Sequence, residues 1–460
     1  METAATDLAR LRQQGFALRD AQQYGEAREV FDRAVRAFPE DVVLAFGWAQ
    51  TCYELGYPAA ELFARAAALA GDHPDILRNQ ALALISEGRS EEARALLEAR
   101  LARHPDWLDG HKALATLRWT AGERDHFCDH LAAACRAQPA NDALWLAWFR
   151  NLAQARLWPA ALAVLDEAER HLGRTPALEV SRLFVAVESG DPAAAALIEA
   201  TAHYRGDVSS LCRIRHALRS GDPRRAEAEA LPLTAGPSAT LYWPYLSLCW
   251  RLLDDDRAQW LDRPDRFIRP LETGCSSAEL ESLADVLRGL HTAAAPYLEQ
   301  SVRGGTQTDR SVLLRHEPQL QAIKARLLAL VRDYVDGLPP PEPDHPLLSA
   351  PRGQLLIEGS WSVRLLPQGH NVAHTHAMGW LSTAFYVSLP GADAMGQPPA
   401  GHIAFGAPPP ELGLALEPYA MIAPAPGRLA VFPSTMWHST VPFAQGERLV
   451  IAFDIRRPAH

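Results

Sequence analysis

The sequence contains almost no lysine. Of its 45 basic residues, two are lysines, Lys112 and Lys324, and the other 43 are arginines. A phosphate-binding loop of the form G-x-x-x-x-G-K-[S/T] needs a lysine in a glycine-rich turn, and neither lysine lies in one. Schiff-base chemistry would have to use one of the same two residues. A fixed positive charge in an active site is therefore expected to be an arginine, whose planar guanidinium binds carboxylate or phosphate through two hydrogen bonds.

Several other features are missing. The six cysteines form no C-x-x-C pair, which argues against a zinc ribbon and favours free thiols in the cytoplasm. No apolar run approaches the roughly 18 residues of a membrane span, and the first residues show no basic-then-apolar signal. With 55 acidic residues and a net charge of -10, the chain lacks the basic surface typical of nucleic-acid binding. We therefore expect neither a membrane nor a nucleic acid as a partner, and the oligomeric state stays open.

The first half of the chain is repetitive. Turn-forming glycines recur at spacings of 31 to 34 residues, at Gly25, Gly56, Gly88 and Gly122. Prolines that close the units recur at spacings of 31 to 35 residues, at Pro39, Pro74, Pro105 and Pro139. Within the first unit, residues 8–38 indicate two amphipathic helices around a turn at Tyr24 to Ala27. A helix–turn–helix period near 34 resembles the tetratricopeptide repeat.

These repeats predict an α-solenoid over residues 1–240, whose concave face would bind a protein or peptide partner. An irregular helical bundle is the alternative. Residues 241–345 are predicted to be a mostly helical lead-in, with helices over 277–290 and 318–335 and a polar loop over 303–309.

After Pro343 the pattern changes to short β-rich runs separated by proline and glycine. The predicted strands are 353–366, 380–390, 401–406, 414–422, 427–433 and 447–456. Strands at this spacing favour a sandwich or jelly-roll barrel over residues 346–460, and the mouth of such a barrel is a natural small-molecule site. The fold class is therefore α+β multidomain, with a helical repeat domain at 1–240 and a second domain at 241–460.

Three histidines crowd into one short segment, Gly369-His-Asn-Val-Ala-His-Thr-His376. On a strand, the spacing of His374 and His376 points both imidazoles to one face. Two converging nitrogen ligands suit Fe(II), Zn(II) or Mn(II). A further histidine, His438, follows in Pro433-Ser-Thr-Met-Trp-His438 and is a candidate for the same site.

Arg448 opens the last predicted strand, ten residues after His438. Leu449, Ile451 and Phe453 share one face of that strand, so Arg448 lies on the other face with the smaller Val450 and Ala452. An arginine inside a small barrel is costly unless an anion meets it. The smaller residues would leave room for such an anion.

The order His-x-His, Pro-Gly-x-Leu-x-x-Phe-Pro-Ser-x-x-x-His and then arginine resembles the double-stranded β-helix of the iron- and 2-oxoglutarate-dependent oxygenases. More narrowly, residues 256–460 resemble the bacterial group of such oxygenases whose catalytic domain follows tetratricopeptide repeats. The stretches that carry the resemblance are Arg303–Thr308, Gly359–Leu365, His374–Ser382, Pro426–Ser434 and Met436–Pro442.

The resemblance implies that His374 and His438 bind the metal and that Arg448 binds the distal carboxylate of 2-oxoglutarate. His376 stands where the wider superfamily usually has an aspartate or glutamate. Either His376 is the third ligand, or a distant carboxylate such as Asp393 supplies it, or the metal has two protein ligands. A three-histidine set also suits catalytic zinc.

Further residues are candidates on the same basis. Tyr386 and Ser382, on one face of a predicted strand, are expected to hydrogen-bond the cosubstrate, with a core tyrosine as the alternative for Tyr386. Trp380 and Trp437 either line a substrate cleft or pack in the core. Arg364 either assists anion binding or forms an ion pair at the barrel end.

The resemblance implies an Fe(II)-dependent dioxygenase that uses O2 and 2-oxoglutarate, with ascorbate as an accessory reductant. It would hydroxylate a side chain of a protein or peptide recruited by the repeats. The alternatives are a three-histidine metal hydrolase, a dioxygenase that does not use 2-oxoglutarate, and a catalytically silent repeat scaffold. Arg448 discriminates among them, because a zinc hydrolase does not need that charge.

Overall fold

The computed structural model describes residues 2–459, with the side chains of residues 2–4 left aside. The chain forms two compact units. The first comprises residues 1–151, 292–298 and 309–324, and the second comprises residues 152–291, 299–308 and 325–460. The predicted domain boundary at residue 240 remains a prediction.

Helices occupy most of the chain before residue 340, and 3-10 turns lie at Leu231–Ala235, Val312–Leu314 and Pro410–Leu412. The α-helices of the described residues are α1 (Glu2–Asp20), α2 (Tyr24–Ala37), α3 (Val42–Glu54), α4 (Ala60–Ala70), α5 (Pro74–Ser86), α6 (Ser90–Arg103), α7 (Leu108–Thr120), α8 (Asp129–Ala137), α9 (Asp142–Gln154), α10 (Trp158–Leu172), α11 (Pro176–Ser189), α12 (Ala194–Ala200), α13 (Asp207–Arg219), α14 (Pro223–Ala230), α15 (Ala239–Leu252), α16 (Arg257–Asp262), α17 (Pro264–Phe267), α18 (Ser277–Gly289), α19 (Pro318–Asp336) and α20 (Ala392–Met395). None of these helices is long and apolar enough to cross a membrane.

Consecutive helices in the first unit pack against each other from α1 to α7. In α2, apolar side chains recur every three or four residues, and the face they form is buried. Many of the buried positions are alanines, which let neighbouring helices approach closely. Gly56, Gly88 and Gly122 adopt positive φ angles at the turns, as a tight helix–helix connection requires. The predicted helical repeats are thereby confirmed.

Local details of the repeats differ from the sequence prediction. The first turn lies at residues 21–23, and Tyr24 to Ala27 instead begin α2, because the Ala27 amide donates to the Gln23 carbonyl. Pro74 begins α5, whereas Pro39 and Pro105 follow helices. Proline suits the first helical position because the amide there has no partner within the helix. A proline alone therefore does not say which end of a helix it marks.

The β-domain is built from nine strands in the described part of the second unit. They are β1 (Arg269–Glu272), β2 (Val302–Gln307), β3 (Ile357–Asn371), β4 (Gly379–Ser388), β5 (Ile403–Phe405), β6 (Ala420–Ile422), β7 (Arg428–Pro433), β8 (His438–Thr440) and β9 (Arg448–Arg456). All pairings are antiparallel, in one sheet of order β1-β7-β4-β9-β3-β2 and a second of order β6-β5-β8. The two sheets are those of the predicted double-stranded β-helix.

The central strands carry the side chains that position the site. Almost every residue of β4 is buried, and α18 packs against this strand. Within β4 and β9, side chains alternate between the two faces of the sheet. Ser382 pairs with Asp454 and Ala384 with Ala452, so these four residues share one face.

Two strands lie where the sequence suggested helices, turns or a loop. β1 and β2 belong to the segment expected to be helical, and they form the two edges of the larger sheet. The polar loop predicted at 303–309 is largely β2, which pairs with β3. Glycine at positions 304 and 305 weakens any strand signal, yet the Cβ atom of any other residue at 305 would lie 2.2 Å from the Arg364 carbonyl oxygen. Because β3 approaches so closely, position 305 requires glycine. Glycine is also the residue that makes β2 hard to recognise as a strand in the sequence.

Candidate metal centre

Two of the clustered histidines lie just after β3, in an extended segment that follows the strand. The backbone of His374 exchanges two hydrogen bonds with that of His438 at the start of β8, at N···O distances of 3.1 and 3.0 Å. The His376 amide donates to the Ser434 carbonyl at 2.9 Å. Backbone pairing thus brings together residues that are 58 or more positions apart in the sequence.

The three imidazoles converge. Ring centroids lie 4.2 Å apart for His374 and His438, and 5.0 Å apart for each of the other two pairs. One ring nitrogen from each residue lies within 4.8 Å of the others. Nitrogens on opposite sides of one zinc-sized ion are separated by at most about 4.2 Å, so small ring rotations bring all three into coordination range.

In all three rings the contacts of Nδ1 fix the ring and direct Nε2 to the metal, although Ser301 Oγ also lies 3.3 Å from His374 Nε2. Nδ1 of His374 lies 2.7 Å from the Val372 carbonyl, and Nδ1 of His438 lies 3.0 Å from the Met436 carbonyl. Nδ1 of His376 lies 2.7 Å from both carboxylate oxygens of Asp454. Carbonyl oxygens only accept hydrogen bonds, so Nδ1 donates and Nε2 keeps its lone pair. Metal-binding histidines are typically oriented in this way.

Electrostatics keep the imidazoles of His374 and His438 neutral. Burial, with a smaller contribution from neighbouring His376, lowers the pKa of His374 to about 3. Burial and the other two histidines lower the pKa of His438 well below its ordinary value. A neutral imidazole is the form that binds a metal. The donor set therefore fits a borderline divalent ion such as Fe(II) or Zn(II).

A polar network supports His376. Ser382 Oγ donates to Asp454 Oδ1 at 2.7 Å and lies 2.9 Å from Ser434 Oγ. It also lies 3.2 Å from His376 Nδ1. The rings of Trp361 and His376 pack in a T-shaped arrangement, with the centroids 5.8 Å apart. The Ser382 hydroxyl is engaged with the Asp454 carboxylate, and its predicted contact with the cosubstrate stays a prediction.

Arg448 is a buried cation at the other end of the same sheet face. Its side chain is 2% exposed, and no carboxylate forms an ion pair with it among the described residues. Its Nε and the hydroxyl of Tyr386 are both buried without a hydrogen-bond partner in the described part of the chain. The guanidinium carbon lies 5.0 Å from the centre of the Tyr386 ring. Burial lowers the pKa of Arg448 and raises that of Tyr386, while the interaction of the two groups with each other opposes both shifts.

An unpaired buried guanidinium is a strong indication of a missing anion, because desolvating a charge costs several kcal/mol unless a partner offsets it. Between Arg448 and the histidines, the sheet face carries the small or medium side chains of Ala384, Ala430, Val450 and Ala452, and the rings of Trp361 and Phe432 lie on the same face beside the histidines. The arrangement can hold a ligand that has a carboxylate at one end and metal-binding oxygens at the other.

Other candidate residues lie outside this arrangement. Trp380 and Trp437 are core residues, with indole nitrogens that donate to the carbonyls of Leu347 and Pro244. Arg364 forms an ion pair with Glu447 at 2.5 Å. Asp393 lies exposed on α20 and does not belong to the metal-binding group that the described residues form.

Sequence reasoning did not identify the residues that support the histidines. Asp454 shares a strand face with Arg448 by the two-residue alternation of β9, and this pattern could have singled it out. Ser301 was also missed, although its Oγ lies 3.3 Å from His374 Nε2. Its position depends on the pairing of β2 with β3, which the glycines of β2 concealed.

Residues 359–454 match a protein family described as "Putative 2OG-Fe(II) oxygenase". The matched segment begins in β3 and ends in β9, and it contains all three histidines, Arg448 and Asp454. Among curated proteins, none matches the sequence.

Solved structures resemble separate parts of the chain. The viral collagen prolyl hydroxylase vCPH from Paramecium Bursaria Chlorella virus-1, in its 2OG complex, is 13% identical, with a TM-score of 0.29 over 42% of this chain and 97% of that one. A Pseudomonas putida prolyl-4-hydroxylase is 16% identical, with a TM-score of 0.29 over 42% and 94% of the two chains. A tetratricopeptide repeat protein from Parabacteroides merdae is 16% identical, with a TM-score of 0.29 over 45% and 82%.

Proposed function

Since residues 359–454 form a 2-oxoglutarate- and Fe(II)-dependent oxygenase domain, we propose that the protein hydroxylates a side chain of a protein or peptide that its helical repeats recruit. His374, His376 and His438 are the proposed metal ligands, through Nε2 of each ring. Arg448 is the proposed anchor of the distal carboxylate of 2-oxoglutarate. The observation that carries the proposal is the buried, unpaired Arg448 on the sheet face that leads to the three histidines.

Different residues would hold the metal and the distal carboxylate of 2-oxoglutarate. Val372, Met436 and Asp454 fix the histidine rings so that Nε2 points to the metal. The Arg448 guanidinium and the Tyr386 hydroxyl offer hydrogen bonds to one carboxylate, and their burial keeps water from competing. When bound, Fe(II) with 2-oxoglutarate and O2 supplies oxidising chemistry that converts the cosubstrate to succinate and CO2 and hydroxylates a C–H bond.

The position of Arg448 favours the oxygenase over a three-histidine hydrolase. A zinc hydrolase needs three protein ligands and a water molecule, and it has no need of a second, buried cation on the same sheet face. Two carboxylates lie near this face, those of Glu447 and Asp454. They are already paired with Arg364 and His376, respectively. Arg448 is therefore available for an external anion.

The experiment measures conversion of 2-oxoglutarate to succinate by the full chain with Fe(II) and ascorbate. We expect His374→Ala and His438→Ala to abolish turnover and metal binding. Arg448→Ala should retain the metal and raise the KM for 2-oxoglutarate on the order of 100-fold or more, because a buried charge pair loses one partner. Arg456→Ala is the matched control, since Arg456 lies on the same strand but is exposed and paired with Glu358.

Absence of succinate from the wild-type chain, together with tightly bound zinc, would contradict the proposal. Equal KM values for the wild type and Arg448→Ala would contradict the role of Arg448 alone.

The proposed macromolecular substrate is supported by the helical repeats, since stacked helical hairpins provide extended binding surfaces. The test incubates the Fe(II)-loaded chain with a peptide library and looks by mass spectrometry for gain of one oxygen atom. Peptides oxidised by the wild type and not by Arg448→Ala would support the proposal. Oxidation of free amino acids at the same rate as peptides would contradict it.

We also propose a cytoplasmic location. The six cysteines of the chain are free thiols, and five of them are buried. Free thiols persist in reducing compartments. Labelling of intact and permeabilised cells with a tagged chain would test this, and labelling without permeabilisation would contradict it.

A further inference from the structure

Asp454 holds a carboxylate directly behind the metal-binding histidines. We propose that Asp454 is a positioning residue that acts through His376 and supplies the negative charge that a carboxylate ligand would otherwise bring to the metal. This inference rests on the proposed function and extends it to a residue that does not touch the metal.

The contact between Asp454 and His376 is close and specific. Both carboxylate oxygens lie 2.7 Å from His376 Nδ1, and Ser382 donates a second hydrogen bond to Oδ1. Asp454 is 3% exposed, so water does not compete for the carboxylate. The carboxylate therefore fixes the orientation of the ring and directs Nε2 away from itself, towards the other two histidines.

The three histidines have unequal partners. His374 and His438 each donate to a backbone carbonyl, which is neutral, whereas His376 donates to a carboxylate. A charged acceptor forms the stronger hydrogen bond and makes the opposite ring nitrogen a better electron donor. His376 should therefore be the strongest nitrogen donor of the three.

Charge balance supports the same conclusion. No arginine or lysine forms an ion pair with Asp454 among the described residues, and His376 is its one potential cationic partner there. A buried carboxylate without a cation is costly, and a divalent ion bound to three neutral histidines lacks a protein anion. One imidazole placed between them lets the two opposite charges stabilise each other.

The first test removes the charge and keeps the shape. In Asp454→Asn, the amide oxygen still accepts a hydrogen bond from His376, so the ring orientation is retained. We expect Fe(II) and Co(II) to bind about 10- to 100-fold more weakly, the usual effect of losing such a partner. Affinity is measured anaerobically by competition with a chelator, and the visible absorption of the Co(II) form should shift because the donor strength of His376 falls.

Asp393→Asn is the matched control. Asp393 lies exposed on α20, so losing its charge should leave metal affinity and the Co(II) spectrum unchanged. Circular dichroism of the metal-free proteins establishes that each variant is folded.

The second test moves the carboxylate. In His376→Asp, the new carboxylate lies near the former Nδ1 position and thus close to Asp454, so the two negative charges repel. The double variant His376→Asp with Asp454→Asn has one carboxylate in that place. We expect the double variant to bind Co(II) at least 10-fold more tightly than His376→Asp alone, although each change by itself weakens binding.

The results separate this inference from the proposed function. A wild-type chain that binds the metal and forms succinate, together with unchanged affinity and spectrum in Asp454→Asn, would overturn only the role of Asp454. The same applies if the double variant binds no better than His376→Asp. A wild-type chain that binds neither Fe(II) nor Co(II) would overturn the metal site and the role of Asp454 together.

Discussion

At the scale of single residues, the second unit keeps a charged group where a folded protein normally avoids one. Arg448 is buried with an unsatisfied Nε, and Tyr386 beside it has an unsatisfied hydroxyl. Such groups weaken the ligand-free fold, since burial removes water that nothing in the chain replaces. The cost is tolerated where a ligand supplies the partner, which links the stability of the domain to its function.

The first prediction concerns this cost. Arg448→Met removes the charge and retains an unbranched side chain of similar length. We expect the free energy of unfolding of the ligand-free protein to rise by about 1–4 kcal/mol, measured by urea denaturation. Arg456→Met, at the exposed end of β9, should change it by less than about 0.5 kcal/mol. A loss of stability in Arg448→Met would mean that the guanidinium has a stabilising partner.

The second prediction concerns a buried acid away from the metal site. Burial raises the pKa of Asp262 from its ordinary 3.8 to about 6, although Ser247 donates a hydrogen bond to it at 2.6 Å. Because the folded-state pKa is the higher one, the folded protein binds more protons than the unfolded chain between these values. The contribution of Asp262 to stability is therefore present below about pH 4 and is lost as the pH rises through 6.

Asp262→Asn should remove this pH dependence and keep the hydrogen bond to Ser247. At pH 7 we expect the free energy of unfolding to rise by up to about 3 kcal/mol relative to the wild type, and by much less at pH 4. The measurement is urea denaturation at both pH values, with exposed Asp265→Asn as control. An equal difference at pH 4 and pH 7 would contradict the raised pKa.

At the scale of secondary-structure elements, the pairing of β2 with β3 organises one side of the site. β2 follows Ser301, whose carbonyl accepts a hydrogen bond from the Val372 amide just before His374. The pairing is irregular between Arg303 and Gly305, and the two strands approach closely there. A glycine-rich strand thus connects the lead-in segment to the histidine segment.

The third prediction tests this contact. In Gly305→Ala, the added Cβ would lie 2.2 Å from the Arg364 carbonyl oxygen and 2.9 Å from the Leu365 Cα, both backbone atoms. Since backbone cannot rotate away, β2 has to shift, and we expect a loss of about 1–3 kcal/mol in the free energy of unfolding. Gly289→Ala, with no atom near its added Cβ, is the control and should be neutral or slightly stabilising. Equal stabilities of the two variants would show that β2 is free to move.

At the scale of the whole molecule, ligand binding and folding are linked, because a ligand that binds only the folded state raises the melting temperature. The two proposed ligands contact different ends of one sheet face. A variant that removes the carboxylate-binding end should therefore lose the effect of 2-oxoglutarate on the melting temperature and keep the effect of the metal.

The fourth prediction is a pattern of melting temperatures. In the wild type, metal and then 2-oxoglutarate should each raise the melting temperature, by the equivalent of about 2.7 kcal/mol at 100 times the dissociation constant. Arg448→Met should keep the response to metal and lose most of the response to 2-oxoglutarate. His374→Ala should lose both, whereas Asp393→Asn should keep both. A full response of Arg448→Met to 2-oxoglutarate would contradict the proposed anchor.

Much of the architecture follows from local sequence pattern. The spacing of apolar residues in α2 and the alternation in β4 indicate these elements, because burial of one helical face or one strand face requires that periodicity. The sequence also indicated His374, His376, His438 and Arg448 as candidates, since chemistry restricts which side chains bind metals and anions. The spacing and the types of the residues within a segment suffice to predict such elements and candidate residues.

Other features depend on contacts between distant segments. The strands β1, β2 and β8 form because β7, β3 and β5 offer them edges, so short polar or glycine-rich sequences become strands by pairing. The partner of His376 is likewise decided by the register of β4 and β9, which places Asp454 beside Ser382. The sequence by itself determined the repeats, the β-domain and the residues able to bind a metal and an anion. Only the tertiary structure decided which carboxylate stands behind a histidine and which arginine stays unpaired, because both depend on burial and on distances between residues far apart in the chain.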